Sequence, residues 1–410
     1  MIMPGPELPV KILFPPGNDD ILFYQYEWAA RGTGDRTAVS SDEGGVGTVK
    51  LLFVEYGGLR SDNGLNLATV ELIRLLSGDA EIDLASVCAG ENDRQTPLPP
   101  GIRYHLLLKG DRRIRQTLPA FRPMLRLLRE NRYDWIVLQG NGCLTAVLPA
   151  ARLTGTGMLY VDHAVMDPAE KRDAFYWERR LESRVCRAVI TQTEASRQAY
   201  LKTFRLPPDR VFVIHNTVPS YAGPLCTPER TELVSVLRMA PEKRPELIVP
   251  IAAALRERAG TFVWRVWGTG PLEEQLRADI EENGLTEQVI QMGTSPDKDR
   301  LYDRAGALVL TSRYEGWGMV LSEARSRGIP CFAFDVPYGP GAQIRDGVSG
   351  ALVKPWDCEQ MADRLAAFLR NREIRESMMT HAPEGLEECS PEAVRRDWLN
   401  MLARVSEVRM

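Results

Sequence analysis

The sequence has no long apolar run and no surplus of either charge. Its longest apolar stretch, residues 247–255, spans nine residues, whereas a membrane-spanning helix needs about 20, so we expect no membrane span. The 51 lysines and arginines nearly balance the 55 aspartates and glutamates. The resulting net charge of −4 gives no reason to expect a nucleic-acid partner.

Cysteines and histidines are few and scattered. The seven cysteines form no Cys-x-x-Cys pair, and their odd number fits a reduced chain better than a disulfide framework. The four histidines lie far apart and show no metal-ligand spacing, so no metal site is predicted. The first residues also lack the basic-then-apolar pattern of a signal peptide, and we therefore expect a cytoplasmic protein.

The chain is long enough for two domains, at roughly 150 residues each. From residue 48 onward, runs of β-forming residues alternate with helical stretches, which is typical of parallel sheets covered by helices. The alternation pauses at the proline-rich segment 219–229 and then restarts, so we expect two α/β halves. The predicted strands are 49–55, 82–87, 135–139, 157–161, 188–191 and 211–214 in the first half, and 233–237, 262–267, 289–292, 307–310, 331–334 and 351–353 in the second.

The two ends of the chain differ from this pattern. Residues 1–47 are predicted to be an N-terminal extension, with a short strand at 10–14 and a flexible linker at 31–47. In the last segment, 391–408, apolar residues recur on one helical face, which predicts a helix. The carboxyl ends of parallel strands form the crevice in which such folds bind ligands.

Two cations follow the first strand of the second half. Arg238 and Lys243 lie just past strand 233–237, at a strand end that faces the predicted crevice. Such a pair suits a diphosphate, because arginine binds two oxygens at once and lysine acts as a point charge. Ordinary surface charge is the alternative, since most lysines and arginines are solvated.

Glycine pairs separate a strand from a helix at three places: Gly57-Gly58, Gly268-Thr-Gly270 and Gly316-Trp-Gly318. Glycine lets the backbone approach a ligand closely, and the first amides of a helix favour anions. Each pair could equally form a plain tight turn. The third is the most informative, because a helix predicted to begin near Met319 and end at Gly328 would direct its amides into the crevice.

Three further side chains are candidates for sugar recognition. Glu315 precedes the predicted helix and Glu323 lies within it, and both carboxylates can accept hydrogen bonds from vicinal hydroxyls. Their spacing alone carries little weight in an acidic chain; their placement across a glycine-rich loop carries more. His163 lies at the end of the strand predicted at 157–161, and it is either a ligand-binding or a core histidine.

A basic run covers Lys109–Arg132, with eight lysines and arginines against two acids. Its arginines at 115, 122, 126 and 129 share a helical face, and the prolines at 119 and 123 favour a helix only from about 119 onward. The run is interpreted either as a surface for an anionic membrane or a phosphate-bearing acceptor, or as a solvated helix face.

Taken together, the motifs resemble the GT-B glycosyltransferases, and specifically their retaining family four. The resemblance is strongest over residues 233–355. The motifs that carry it, in the family's order, are Arg-Met-Ala-Pro-Glu-Lys at 238–243, Gly-Thr-Gly-Pro at 268–271, the stretch 312–324, Gly-Ile-Pro at 328–330 and Asp-Gly-Val-Ser-Gly at 346–350.

The resemblance implies two Rossmann-like domains whose parallel sheets face a central cleft. Residues 48–218 would form the acceptor domain and residues 230–390 the nucleotide-sugar donor domain, with segment 391–410 packing back on the first. It also implies metal-independent transfer of a hexose from a nucleotide sugar, UDP-sugar favoured, to an acceptor hydroxyl. Retention of configuration is implied as well.

Residue by residue, the resemblance assigns Arg238 and Lys243 to the donor diphosphate and Glu323 to the ribose. Glu315 would hold the donor sugar, and His163 would sit beside the sugar and the acceptor. The remaining implied contacts come mostly from main chain, at Gly58, Gly268, Met292, Gly293, Gly316, Trp317, Gly318 and Met319.

The sequence departs from the family pattern in places. Arg244 replaces a usual glycine, and Trp317 replaces a usual phenylalanine or proline. Segment 335–340 resembles a variant found in enzymes that decorate teichoic acids and other surface polymers, which favours a cell-surface glycan, polymer or glycolipid acceptor. The alternatives are a sugar-nucleotide epimerase, a phosphorylase, or a non-catalytic partner subunit, although the last class tends to lose the charged cleft residues.

Overall fold

The protein is described by a computed structural model, which gives the secondary structure of most of the chain. The described residues are 10–12, 23–25, 49–59, 64–90, 96–110, 117–163, 174–218, 221, 223, 225–295 and 297–407. The predicted linker at 31–47 and Arg115 of the basic run lie outside them.

The first half is a seven-stranded, all-parallel sheet with the order β5-β4-β3-β6-β7-β8-β9. A separate antiparallel pair, β1 and β2, precedes it. The elements are β1 (Val10–Ile12), β2 (Phe23–Gln25), β3 (Val49–Glu55), α1 (Gly64–Leu76), β4 (Ala80–Ala89), β5 (Arg103–Lys109), α2 (Phe121–Asn131), β6 (Trp135–Gln139), α3 (Leu144–Thr154), β7 (Gly157–Val161), α4 (Ala174–Val185), β8 (Ala188–Thr191), α5 (Glu194–Phe204) and β9 (Val211–Val213).

The second half is a six-stranded parallel sheet with the order β12-β11-β10-β13-β14-β15. Its elements are β10 (Glu232–Val236), α6 (Ile248–Ala259), β11 (Trp264–Trp267), α7 (Glu273–Glu282), β12 (Val289–Gly293), α8 (Lys298–Tyr302), β13 (Ala305–Leu310), α9 (Met319–Arg325), β14 (Cys331–Phe334), α10 (Gly339–Gln343), β15 (Gly350–Val353), α11 (Cys358–Arg370), α12 (Arg372–His381) and α13 (Pro391–Glu407).

These elements confirm the predicted alternation of strands and helices in two halves. Two predictions need correction. The helix expected over 319–328 is α9, which ends at Arg325 because the chain turns at once toward Gly328, whose φ is 72°. Strand β5 was missed, since this edge strand is mostly half-buried or exposed and lacks a continuous apolar run.

The last helix, α13, packs on the first sheet rather than on the second. Its apolar side chains, among them Trp398 and Met401, share a buried core with Leu51 and Phe53 of β3. The rings of Trp398 and Phe53 are 6.5 Å apart. Arg395 of α13 also donates to Asp79, so both apolar and polar contacts hold the chain terminus against the first half.

None of the helices in the described ranges combines the length and the apolar character needed to cross a lipid bilayer.

Truncation of Trp398 should test how strongly α13 stabilises the first half. The side chain is 2 % exposed, and removal of a buried aromatic costs about 3–5 kcal/mol. We expect Trp398→Ala to lower the free energy of unfolding by about that amount in urea titrations. Leu153→Ala, at an exposed position of α3, is the control. Equal effects of the two variants would show that α13 is a loosely attached segment.

Candidate functional site

Two backbone segments at the carboxyl edge of the second sheet lie in direct contact. A Cβ atom at Gly268 would lie 1.8 Å from the carbonyl oxygen of Leu237, and one at Gly270 would lie 2.5 Å from that of Met239. Both glycines have positive φ, 124° and 155°. Glycine is therefore required here for loop-to-loop packing as well as for the turn, and the packing seats the segment that carries Arg238.

The two predicted cations lie in this segment but have different partners. The Arg238 side chain is 55 % exposed and pairs with Glu242, four positions further along the same loop. Lys243 is more buried, and its Nζ lies 2.6 Å from Oε1 of Glu315. The structure thus brings Lys243 and Glu315 together, although 72 positions separate them in the sequence.

Glu315 is held from several sides. Its side chain is 9 % exposed, and its Oε1 accepts hydrogen bonds from Lys243 Nζ and from Ser312 Oγ at 2.6 Å. Its carbonyl oxygen accepts from the Gly339 amide at 3.0 Å. These contacts fix the position of the Glu315 carboxylate, which suits recognition of a polar ligand.

The second predicted glutamate, Glu323, has its own cation. Lys298 Nζ contacts its Oε1, and the Tyr302 hydroxyl donates to its Oε2 at 3.0 Å. Burial and the neighbouring carboxylate raise the pKa of Tyr302 well above its ordinary value, so the hydroxyl remains a donor. The sequence analysis did not predict Lys298 as a site residue. Its position at the start of the helix that follows β12 could have indicated it.

The loop before α9 is locked by a network around Trp317. The indole Nε1 donates to Ser322 Oγ at 2.8 Å, and Ser322 Oγ donates to Gln343 Oε1 at 2.7 Å. Gln343 in turn donates to the carbonyl oxygen of Trp317. Gly318, with φ of 83°, caps the amino end of α9. The tryptophan that departs from the family pattern is therefore 5 % exposed and fully bonded.

Trp317 also joins the two halves. Its ring stacks on His215, which follows β9 of the first half, with 4.8 Å between centroids. The His215 Nδ1 is 2.7 Å from the carbonyl oxygen of Gln192, and its Nε2 is 3.5 Å from Glu388 Oε2. Sequence reasoning assigned no role to His215, which the fold places against the candidate donor loop.

Contacts of the Arg244 side chain stabilise an arginine at a position where the family pattern usually has glycine. Its φ of 48° is left-handed, a conformation that glycine adopts without cost and that other residues adopt at about 1–2 kcal/mol. The side chain is held by Trp356, whose ring centre lies 4.3 Å from the guanidinium carbon. A 2.9 Å ion pair with Glu246 adds to this. These contacts offset part of the backbone strain.

Three main-chain candidates already have partners within the protein. The Gly293 carbonyl oxygen accepts from the Gly268 amide at 2.7 Å. The Met292 sulfur lies 3.6 Å from Arg265 Nη1. In the first half, Gly58 is buried and its carbonyl oxygen accepts from Asn66 Nδ2 at 2.7 Å. The carbonyl groups of Gly293 and Gly58 are thus already engaged within the protein.

His163 lies at the carboxyl end of β7, partly buried. Its Nε2 is 2.8 Å from Gln139 Oε1, and since this oxygen only accepts, the ring carries its proton on Nε2. Burial lowers the pKa of His163 to about 4. The imidazole is therefore neutral near pH 7, and acts there as a hydrogen-bonding group rather than as a cation.

A pocket of about 510 Å³ opens between the two halves. On one side it is lined by the start of α5, and on the other by the segment that resembles the surface-polymer variant. Within that segment Tyr338 pairs in a β-bridge with Glu315, so the pocket adjoins the candidate site. The lining residues are Glu194, Ala195, Asp335, Val336, Pro337, Tyr338, Gly341 and Ala342.

A buried carboxyl group supports the loop after β6, beside His163 and Gln139. Glu178 Oε1 accepts from the Gly142 amide at 2.8 Å, and the residue is 5 % exposed. Burial raises the pKa of Glu178 to about 7, although the Gly142 amide and Arg179 act in the opposite direction. The charge of Glu178 therefore changes near neutral pH.

Two family models match the chain. "Glycosyltransferase Family 4" matches residues 63–220, and "Glycosyl transferases group 1" matches residues 226–384. Together they span most of the first and second halves as the sheets define them. The chain belongs to these glycosyltransferase families. The predicted resemblance is thereby confirmed at the level of the family.

Individual glycosyltransferases show the same relationship. The poly(ribitol-phosphate) alpha-N-acetylglucosaminyltransferase of Staphylococcus aureus is 28 % identical over 214 residues, which are 52 % of this chain and 43 % of the relative. The chain thus aligns with less than half of that protein's length.

Solved structures confirm the GT-B fold class. S. aureus TarM, in complex with fondaparinux, alpha-GlcNAc-glycerol and UDP, superposes with a TM-score of 0.73 at 16 % identity, over 86 % of this chain and 99 % of TarM. Anabaena HepE, in complex with UDP and glucose, superposes with a TM-score of 0.73 at 17 % identity, over 87 % of this chain and all of HepE.

Among the described residues of this glycosyltransferase-family chain, no cluster of three or more His, Cys, Asp or Glu side chains is placed to hold a metal ion.

The raised pKa of Glu178 predicts a pH-dependent stability. Because the pKa lies at about 7 in the folded chain and at 4.5 unperturbed, the neutral carboxyl favours folding below pH 4.5. That contribution is lost as pH rises through 7. Between pH 5 and 8, we expect the wild type to lose about 2–3 kcal/mol more unfolding free energy than Glu178→Gln. If the free energies of unfolding of the wild type and Glu178→Gln, measured in urea, changed in parallel with pH, the raised pKa of Glu178 would be contradicted.

Proposed function

We propose that the chain transfers a hexose from a nucleotide sugar to an acceptor hydroxyl with retention of configuration. The observation that carries the proposal is the Lys243–Glu315 ion pair at the carboxyl edge of the second sheet, inside the matched group 1 region. A cation and a carboxylate held together in this way can contact the diphosphate and the sugar of one donor.

In this proposal the second half binds the donor. Arg238 and Lys243 stabilise the negative charge that develops on the departing diphosphate, which is where transition-state charge matters most. When the donor enters, Lys243 shares its charge between Glu315 and the phosphate oxygens. Glu323, oriented by Lys298 and Tyr302, accepts hydrogen bonds from the ribose hydroxyls.

The main-chain candidates complete the proposed donor site. The amides from Gly316 to Met319 lie next to Glu315 and precede α9, where they can donate to sugar and phosphate oxygens. Gly268 brings its loop against the segment of Arg238. The main chain at 292–293 receives the base. UDP is the favoured nucleotide, since HepE and TarM were both solved with UDP.

The first half is proposed to bind the acceptor. Neutral His163 would lie beside the reacting sugar and the acceptor hydroxyl, and Gly58 would face the diphosphate. The acceptor enters through the pocket between the halves, which is lined in part by segment 335–340, the segment that resembles surface-polymer enzymes. The activity of the S. aureus relative on poly(ribitol phosphate) supports a surface polymer or glycan as acceptor.

Metal independence and cellular location complete the proposal. Arg238 and Lys243 supply positive charge at the place where a metal ion would otherwise be needed. Action on the cytoplasmic side, with contact between the basic segment Lys109–Arg132 and an anionic membrane, stays a prediction from the sequence. A sugar-nucleotide epimerase, a phosphorylase and a non-catalytic subunit are the competing functions.

Calorimetric titration with UDP and GDP in the presence of a chelator tests the donor site. We expect UDP to bind with a dissociation constant on the order of micromolar, or about −8 kcal/mol. Lys243→Ala and Arg238→Ala should each weaken binding at least tenfold. Arg277→Ala, an exposed arginine of α7, is the matched control and should bind normally. Absence of binding to both nucleotides would remove the donor hypothesis.

The stereochemistry can be tested separately. With UDP-glucose, whose glucosyl bond is α, retention predicts an α-linked product in the proton NMR spectrum. A β-linked product would overturn the retaining assignment while leaving the donor site intact. Release of glucose 1-phosphate from an α-glucan, together with the absorbance of bound pyridoxal phosphate, would favour a phosphorylase instead.

A further inference from the structure

Four exposed arginines follow one another along helix α2 of the first half. Arg122, Arg126 and Arg129 lie on one helical face, and Arg132 caps the carboxyl end with a φ of 52°. We refer to these four residues as the arginine row. Within the described part of the chain, none of the four side chains has an ion-pair or hydrogen-bond partner.

Some arginines elsewhere in the chain do have acidic partners. Arg197 pairs with Glu194 at 3.0 Å and Arg277 with Glu274 at 3.1 Å. Within the arginine row, like-charged neighbours lie three and four positions apart, an arrangement that destabilises a helix. Glu130, four positions after Arg126, is the one acidic side chain of α2. Arg122 lies in the first turn, where the helix dipole disfavours a cation, whereas Arg129 and Arg132 lie at the carboxyl end, where it favours one. Arg122 and Arg126 therefore gain nothing from the helix dipole.

The apolar side of α2 is already used by the protein. Met124, Leu127 and Leu128 are buried in the core of the first half. A helix that lies in a membrane surface must offer its apolar side to the lipid, and α2 offers only charge. The exposed leucines of neighbouring elements, Leu106, Leu118 and Leu153, are single side chains on separate elements. The surface therefore suits a polyanion better than a lipid bilayer.

The position of the row connects it to the cleft. Helix α2 links the parallel strands β5 and β6, so it begins at the carboxyl edge of the first sheet and runs away from it. At 1.5 Å per residue, the row extends for about 15 Å along the helix. Its first member, Arg122, is the one nearest the edge at which parallel α/β sheets bind ligands.

We propose that the arginine row binds the acceptor as a track for a polymer with repeating phosphate groups. The planar guanidinium group binds phosphate oxygens in pairs, and a row of four can hold consecutive groups of one chain. The proposal rests on the proposed transferase function and assigns its acceptor to the phosphate-bearing polymers. The growing end reaches the cleft while the remainder of the polymer lies along α2.

The test compares two variants that lose the same charge. Arg122→Gln/Arg126→Gln/Arg129→Gln removes three members of the row. Arg277→Gln/Arg304→Gln/Arg372→Gln removes three exposed arginines of the second half, each of which has a glutamate partner. The probe is fluorescein-labelled inorganic polyphosphate, and binding is followed by fluorescence anisotropy between 50 and 300 mM salt.

We expect the row variant to bind polyphosphate at least tenfold more weakly than the wild type. The slope of log affinity against log salt should fall by about two, since each phosphate contact on a single strand contributes about 0.7. The control variant should behave as the wild type. An equal loss of affinity in both variants would show that only net charge matters and would overturn the proposal. Unchanged binding in the row variant would overturn it as well.

Two further measurements separate the remaining outcomes. Wild-type binding to vesicles of phosphatidylglycerol and phosphatidylcholine, without binding to polyphosphate, would replace the polymer with a membrane. UDP titration of both variants should give wild-type affinity, so a failure of the donor site is visible independently of the row. Thermal unfolding checks the fold, and Arg126→Glu provides a single-residue variant should the triple variant be unstable.

Discussion

Backbone-to-backbone contact between residues 237–239 and 268–270 is the constraint on which the candidate donor site depends. It is possible only because Gly268 and Gly270 have no side chains, and it brings the ends of β10 and β11 into one rigid edge. Arg238 and Lys243 project from that edge, and Glu315 reaches it from β13. The order of the strands, with β10 between β11 and β13, turns three distant loops into neighbours.

The fold was largely predictable, because buried parallel strands are continuous apolar runs. β6, β7, β8 and β14 have the predicted bounds. The failures share a physical cause, since edge strand β5 and the short helix α9 depend on tertiary contacts more than on local composition. The role of the N-terminal extension, residues 1–47, could not be predicted either, because its sequence has no long segment of periodic apolar residues.

The site was predictable in its residue types and less so in its contacts. Charged residues after strands and glycine-rich loops identified Lys243, Glu315 and Glu323 as candidates. Lys298, the partner of Glu323, and His215, the partner of Trp317, come from other elements, and no local sequence pattern predicts such pairings. Arg244 shows the same limit: its left-handed backbone is a conformation that favours glycine, and only the fold reveals the Trp356 ring that contacts its side chain.

The stack of His215 on Trp317 crosses the boundary between the two matched families, since the first residue belongs to the family 4 region and the second to the group 1 region. A recombinant that exchanged the first half for that of a relative would set whatever side chain stands at position 215 against the tryptophan. The ring contact thus makes the two halves matched parts at this point, and a swap that keeps His215 would keep the contact.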